Sequence, residues 1–175
     1  MPRKNSKDLI SMAIYQLMYR IPYHKISVKM ICEQAGVSRM SFYRYYNTKE
    51  DIFINFSDER FAEFYELYML NKDISLEGFT KNIIHYFKKY SRQIKILEKA
   101  DKLSILITQF ERYSSYLMNH VKSIGIFLDK DNPLVVPYFA GGLFNVLVYW
   151  TKHNFKESEE DMAKYLESLV SKKKY

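Results

Sequence analysis

Apolar residues recur at steps of three and four along almost the whole chain, and this spacing places them on one face of successive α-helices. The first such segment contains Ile10, Ala13, Ile14, Leu17 and Met18. Glycine and proline are scarce, with 5 and 4 residues among 175, which disfavours β-sandwiches, barrels and Gly-rich nucleotide loops. The pattern therefore predicts an all-α protein of about nine helices.

Side chains that cap helices divide the chain into segments. The candidate N-caps are Ser6, Ser27, Ser38, Thr48, Ser75 and Ser158. The predicted helices span 7–20, 28–35, 39–45, 48–70, 75–90, 91–100, 101–127, 134–153 and 158–170. The segment 129–133 is the clearest loop. A boundary near the start of the fourth helix separates a basic module, 1–50, from a neutral, aromatic-rich bundle, 51–175.

The net charge of +7 is concentrated at one end of the chain. Residues 1–46 hold eight Lys or Arg against two acids, whereas the other 129 residues hold nineteen against eighteen. A local positive field of this kind favours a polyanion partner, with nucleic acid ahead of an anionic membrane surface.

Two short predicted helices meet at the sequence Ala-Gly-Val-Ser, 35–38, which is the pattern of a helix-turn-helix unit. The second helix of such a unit enters the major groove of DNA. At about 100° per residue, its outward positions are Arg39, Met40, Tyr43 and Arg44. Phe42 and Tyr46 point back to the core. Arginine can bond guanine edges bidentately or clamp a phosphate, so this face predicts DNA binding.

The stretch 26–53 closely resembles the DNA-binding domain of TetR-type (TetR/AcrR) transcriptional regulators, with the strings Ala-Gly-Val-Ser, Phe-Tyr and Lys-Glu in register. The resemblance covers about 9–56. It implies a DNA-binding helix-turn-helix domain, 1–50, and a compact effector-binding and dimerisation domain, 51–175. It further implies a cytoplasmic homodimer that binds a palindromic double-stranded DNA operator, acts as a ligand-responsive repressor, and is not an enzyme.

Carried over position by position, the resemblance implies phosphate contacts from Ser27, Lys29, Tyr43 and Lys49. It implies contacts with bases or nearby backbone from Ser38, Arg39, Met40, Ser41 and Arg44. Met40 departs from the family, which commonly has a small residue there, and Tyr46 stands where Phe is usual.

The twenty residues 132–151 carry no charge, which fits a dimer interface, an intrachain core or a membrane span. Two prolines and a glycine pair disfavour the membrane span. The stretch 138–151 and the last helix resemble the helix pair through which TetR-type regulators dimerise. The resemblance implies interface positions at Tyr138, Gly141, Gly142, Asn145, Val146, Trp150, Met162, Leu166 and Leu169.

Aromatic residues of the second unit fit either ordinary core packing or a pocket for a small apolar or aromatic effector. Those considered are Tyr86, Tyr90, Tyr113 and Tyr116, with Met118 beside them. The sequence assigns none of them to a ligand. In an alternative interpretation, the second unit responds to a protein partner.

No feature predicts a cofactor, a metal site or catalysis. The four histidines have no i, i+4 pair, the single Cys32 fits a core position, and catalytic motifs are absent from the sequence. The polar start, 1–7, predicts no signal peptide, in keeping with a cytoplasmic protein. An enzyme or a membrane-surface module remains the distant alternative.

Overall fold

The computed structural model describes residues 5–70, 75–120 and 132–170, and within these ranges every regular element is helical. The helices are α1 Ser6–Met18, α2 Val28–Ala35, α3 Arg39–Tyr43, α4 Glu50–Leu70, α5 Leu76–Lys89, α6 Ser91–Lys99, α7 Leu103–His120, α8 Val135–Lys152 and α9 Glu159–Val170. A 3-10 turn, Tyr23–Lys25, lies between α1 and α2. The all-α prediction of about nine helices is confirmed. The predicted helical residues 121–127 and most of the predicted loop lie outside the described ranges.

Helix starts follow the predicted caps with one exception. The hydroxyls of Ser27, Ser38 and Ser75 each accept a bond from a main-chain N–H three residues ahead. The α1 cap was predicted at Ser6 and is instead Asn5, whose amide oxygen accepts from Asp8 N at 2.9 Å. Asparagine supplies the same acceptor one residue earlier.

The first three helices and the start of α4 enclose one core. Its fully buried side chains include Ile10, Ile14, Ile31, Phe42 and Phe53. Ile96 and Leu97 of α6 belong to the same cluster. The N-terminal module is therefore not closed on itself, since a helix of the following bundle completes its core.

The second core lies among α5, α7, α8 and α9, with the far half of α4 against it. Its buried residues include Ile84, Phe144, Leu147, Trp150 and Leu166. Helix α4 thus contributes Phe53 to the first core and Phe64 to the second. This single helix joins the two units. Across the ranges given above, none of the helices has both the length and the apolar character needed to traverse a bilayer.

Candidate nucleic-acid interface and internal cavity

The turn between α2 and α3 depends on the backbone of Gly36. This residue takes left-handed angles, φ 66° and ψ 34°, and its N–H donates to the carbonyls of Cys32 and Glu33. The Val37 N–H donates to the Cys32 carbonyl at 3.0 Å. A Cβ built on Gly36 would meet no atom within 4 Å, so conformation and not space requires glycine here. The turn fixes the angle at which α3 leaves α2.

Helix α3 presents its polar face to solvent because Phe42 anchors its other side. Phe42 has no exposed surface, and its ring packs 5.6 Å from that of Tyr46. The outward set of the sequence analysis, Arg39, Met40, Tyr43 and Arg44, is exposed throughout, with Met40 at 78%. Among the described residues, no carboxylate lies within 4.0 Å of either arginine. Two uncompensated guanidinium groups therefore stand on one exposed face.

The serines near this face serve mainly as helix caps. Ser38 Oγ accepts from Ser41 N at 3.0 Å and lies 3.0 Å from Ser41 Oγ. Ser27 caps α2 and is exposed, and the ammonium of Lys29, in the first turn of α2, lies 3.8 Å from the Glu33 carboxylate. Exposed pairs of this kind are worth little, so the ammonium of Lys29 can exchange Glu33 for a phosphate at small cost.

The structure places Lys49 differently from the other predicted contacts. Its ammonium donates to the main-chain carbonyls of Ile26, at 2.5 Å, and Tyr23, at 3.3 Å, and it lies 4.4 Å from the centre of the Tyr23 ring. Lys49 therefore holds the turn before α2 against the start of α4. An ammonium has three donors, which leaves one for a phosphate.

Tyr45 is a surface aromatic that the sequence analysis did not assign. Helix α3 ends at Tyr43 instead of extending to 45, and Tyr45 in the following turn is 40% exposed. The helical pattern carried no signal for this change of direction. Cys32, by contrast, lies in the core as expected, and burial raises the pKa of its thiol.

A cavity of about 110 Å³ lies between the two units and is lined by residues of α1, α4, α5, α6, α7 and α8. Its wall is mostly aromatic and includes Phe56, Phe61, Phe64, Phe87, Phe110 and Phe144. Tyr86, Tyr90 and Tyr113, considered for a pocket in the sequence analysis, line it as well, whereas Tyr116 and Met118 do not. Burial raises the pKa of Tyr86, which stays a neutral phenol.

Among the described residues that line this cavity, Arg60 is the one with a charged side chain. Its guanidinium bonds the Tyr90 hydroxyl at 3.2 Å and lies 3.3 Å from a carboxylate oxygen of Glu63. Glu59 lies 3.8 Å away and pairs with Lys7 of α1 at 2.7 Å. A chain of charges thus runs from the wall of the cavity to the first helix of the basic module.

Comparisons with known proteins agree with this architecture. The sequence profile described as "Bacterial regulatory proteins, tetR family" matches residues 10–55, and the profile described as "Transcriptional regulator C-terminal region" matches 75–172. The second match alone covers more than half of the chain. The chain belongs to the TetR family. It is a DNA-binding transcriptional regulator.

Solved structures of TetR-type proteins share the fold over nearly the full length. A TetR transcriptional regulator from Streptococcus agalactiae is 22% identical, covers 95% of this chain and 94% of its own, and gives a TM-score of 0.65. The dihydroxyacetone kinase operon activator DhaS is 20% identical, with 94% and 93% covered and a TM-score of 0.62. The fatty acid degradation regulator FadR from Bacillus halodurans is 19% identical, with 97% and 96% covered and a TM-score of 0.57. Among curated proteins, none matches the sequence.

In this TetR-family regulator, α8 and α9 expose an apolar stripe that differs in part from the predicted interface. Its exposed large side chains are Leu134, Tyr138 (86%), Tyr149, Tyr165 and Leu169. Gly142 and Asn145 are exposed on the same face of α8, beside half-buried Gly141. The Asn145 amide donates to the Gly141 carbonyl at 2.7 Å. Exposed large apolar side chains of this kind are typical of an interaction site.

Three of the predicted interface positions, Trp150, Met162 and Leu166, are buried within a single protomer. These side chains are at most 6% exposed in a single protomer, because each packs into the second core. The indole N–H of Trp150 is also used, donating to the Glu157 carbonyl at 3.0 Å. Val146 is half-buried against the same core. Trp150 therefore has no surface to offer a second chain, and Met162 and Leu166 have little.

Proposed function

We propose that this regulator is a ligand-responsive repressor that acts in the cytoplasm as a homodimer on a palindromic operator. The observation that carries the proposal is the exposed face of α3, on which Arg39 and Arg44 stand without a carboxylate partner among the described residues. The buried Phe42 and the Gly36 turn hold this face rigidly. Rigid presentation favours base reading because bidentate arginine contacts need a fixed approach.

Two classes of DNA contact follow from the positions of the side chains. Arg39 and Arg44 reach base edges, with Met40, Ser38 and Ser41 beside them. The contacts with phosphates come from Ser27, Lys29, Tyr43 and Lys49. Phosphate contacts supply affinity through counterion release, whereas base contacts supply discrimination between sequences.

The apolar stripe of α8 and α9 supports dimerisation. Stripes from two protomers would form a four-helix interface around a two-fold axis, with Tyr138, the most exposed of these side chains, losing the most water. Gly141 and Gly142 have no atom within 4 Å of a built Cβ, so a partner helix can approach α8 closely there. Two-fold symmetry would place the two α3 helices in successive major grooves, about 34–36 Å apart.

The cavity supports control by a small molecule. It contacts α4 and α6, and these helices also bury Phe53 and Leu97 in the core of the DNA-binding module. A ligand that fits one arrangement of these helices better than another shifts the population of DNA-competent dimers by its differential affinity alone. We propose repression because a dimer that spans two major grooves occludes the promoter beneath it. One protein of similar structure is named as an activator, so the test must be able to detect activation as well as repression.

Operator selection from random duplex DNA with the purified dimer tests the proposal. We expect a palindromic motif and an affinity that falls steeply with salt. Arg39→Ala and Arg44→Ala should each cost about 1–3 kcal/mol and relax base preference at one position per half-site. Lys164→Ala, an exposed cation on α9, is the control and should leave both unchanged.

A reporter driven by the recovered motif then gives the sign of regulation. Deleting the regulator should raise expression if it represses. A monomer that binds no duplex at modest ionic strength would refute DNA recognition by a symmetric dimer. An unchanged motif for both arginine variants would refute the base-reading role of α3.

A further inference from the structure

Four buried polar atoms around the cavity have no hydrogen-bond partner among the described residues. They are the Tyr15 hydroxyl, Arg60 Nε, Gln93 Oε1 and Gln109 Oε1, and each belongs to a residue that lines the cavity. Buried polar side chains in folded proteins are normally satisfied, so four such atoms around one space need an explanation. Tyr15 and Gln109 are more than nine-tenths buried, which leaves bulk water little access.

The chemistry of these atoms defines what would satisfy them. The two glutamine oxygens accept hydrogen bonds, Arg60 Nε donates one, and the Tyr15 hydroxyl can do either. An occupant therefore needs at least one O–H or N–H donor and one acceptor. The aromatic wall requires the rest of its surface to be apolar and favours a ring that packs against Phe and Tyr edges.

The charges around the cavity argue against an ionic occupant. Arg60 is the one charged residue described in the wall, which disfavours a cation. Glu63 and Glu59 already balance its guanidinium, at 3.3 Å and 3.8 Å, which disfavours an anion. A charged group that enters an apolar space without an unbalanced counter-charge loses its hydration with little return.

Size gives a further limit. One water molecule needs roughly 10–15 Å³ of cavity volume. This cavity holds about 110 Å³. The space therefore accommodates several atoms of a small molecule, on the scale of one substituted ring and not of a long acyl chain.

We propose that the effector is an uncharged, hydroxyl-bearing aromatic compound of about one ring, held by hydrogen bonds to Gln93, Gln109 and Tyr15. This proposal rests on the proposed function, in which the cavity is the regulatory site. Gln93 lies on α6 and Gln109 on α7, but Tyr15 lies on α1 of the DNA-binding module. The effector would thus bond the module it regulates directly, in addition to acting through α4.

Three compounds of equal shape separate the charge classes. Tyrosol, tyramine and para-hydroxyphenylacetate share a hydroxyphenyl ring and a two-carbon arm that ends in a hydroxyl, an ammonium or a carboxylate. We expect titration calorimetry on the full-length protein to show tyrosol binding at least about tenfold more tightly than either ion. The proposal would be overturned if tyramine or para-hydroxyphenylacetate bound more tightly than tyrosol. It would also be overturned if none of the three bound and phenol and hydroquinone did not bind either.

Substitutions at the unpartnered atoms test the contacts themselves. Tyr15→Phe and Gln109→Leu should each weaken tyrosol binding about three- to tenfold. Neither variant removes a hydrogen bond that the described residues make, so the melting temperature without ligand should hold or rise, which separates lost binding from lost folding. Tyr46→Phe is the matched control, since Tyr46 is a buried tyrosine of the same module that does not line the cavity. Unchanged affinity in both cavity variants would refute the assigned contacts.

DNA binding is measured separately by fluorescence anisotropy without ligand. If the protein bound its selected operator but none of the neutral aromatic compounds, the effector proposal would be wrong and the DNA-binding role would stand. A protein that binds tyrosol but no duplex fails the proposed function instead.

Discussion

The ammonium of Lys102, just before α7, lies 3.5 Å from the carboxylate of Glu50 in the first turn of α4. The same ammonium lies 5.0 Å from the centre of the Tyr23 ring, which is buried in the core of the DNA-binding module. Lys102 therefore links the C-terminal unit to the start of α4 and to the turn before α2. Any movement of α7 relative to α4 must break or stretch these contacts.

Replacing both members of this pair measures how strongly the two units are joined. Both side chains are about one-third exposed, so we expect Lys102→Met and Glu50→Gln to couple by about 0.2–1 kcal/mol in a double-mutant cycle of urea unfolding. The coupling should shrink in high salt. The pair Lys164 and Glu160 on α9, which joins no two units, is the control and should leave operator affinity unaltered. If the cycle gave no coupling between Lys102 and Glu50, and the Lys102 variants bound the operator as tightly as the unchanged protein, this pair would not join the two units energetically.

Gly36→Ala isolates the cost of the left-handed turn. Because a Cβ at this position contacts nothing within 4 Å, the loss is purely conformational, about 1–2 kcal/mol of unfolding free energy. Thermal denaturation reports the change. Gly142→Ala is the comparison for the protomer alone, because Gly142 also lies on the proposed dimer face. In helix α8, with equally open space, it should leave the unfolding free energy of the protomer unchanged or raise it by up to about 1 kcal/mol. Equal effects at the two positions would contradict the argument.

The helix-turn-helix could be predicted from sequence because its signals are local. Ser27, Gly36 and Ser38 each act on backbone groups within four residues, and the structure places all three as expected. Trp150 was predicted at the dimer interface, whereas its burial within the protomer depends on the turn after α8, where Phe155 packs 4.8 Å from the indole. An apolar helix looks the same in sequence whichever neighbour covers it.

The polar atoms of the cavity had no sequence signal for a related reason. Gln93 and Gln109 belong to helices α6 and α7, and Tyr15 to α1. Only the packing of these helices brings the three side chains to one space. Tyr86 and Tyr90 were noticed because aromatic enrichment is visible in the composition, whereas two glutamines among polar neighbours are not.

Asp51 should make the stability of the DNA-binding module depend on acid. Its carboxylate accepts hydrogen bonds from Thr48 N at 2.9 Å and from Asn47 N at 2.8 Å. These bonds lower its pKa below the ordinary 3.8, and the bond from Thr48 has the larger effect. A carboxyl whose pKa is lower in the folded state stabilises above its ordinary pKa and loses that contribution as pH falls through the folded value. Asp51→Ala should therefore cost about 1 kcal/mol at neutral pH and progressively less below pH of about 4.

Denaturant unfolding across pH measures this difference. Glu66→Ala, which removes an exposed carboxylate farther along α4, is the comparison and should cost less than about 0.5 kcal/mol at neutral pH. A cost for Asp51→Ala that stayed constant down to pH of about 2 would rule out the cap as its source.

Two leucines of equal exposure give the sharpest test of the dimer. Leu169 on α9 and Leu67 on α4 are both 59% exposed, but only Leu169 belongs to the apolar stripe of α8 and α9. We expect Leu169→Glu to raise the dimer dissociation constant at least about tenfold in sedimentation equilibrium, because the new carboxylate must be desolvated against an apolar partner surface. Leu67→Glu should leave it unchanged. Operator affinity should fall in Leu169→Glu, in which the dimer dissociates, and not in Leu67→Glu. One α3 helix cannot bind two half-sites. Equal dissociation in both variants would move the interface away from this face of the molecule.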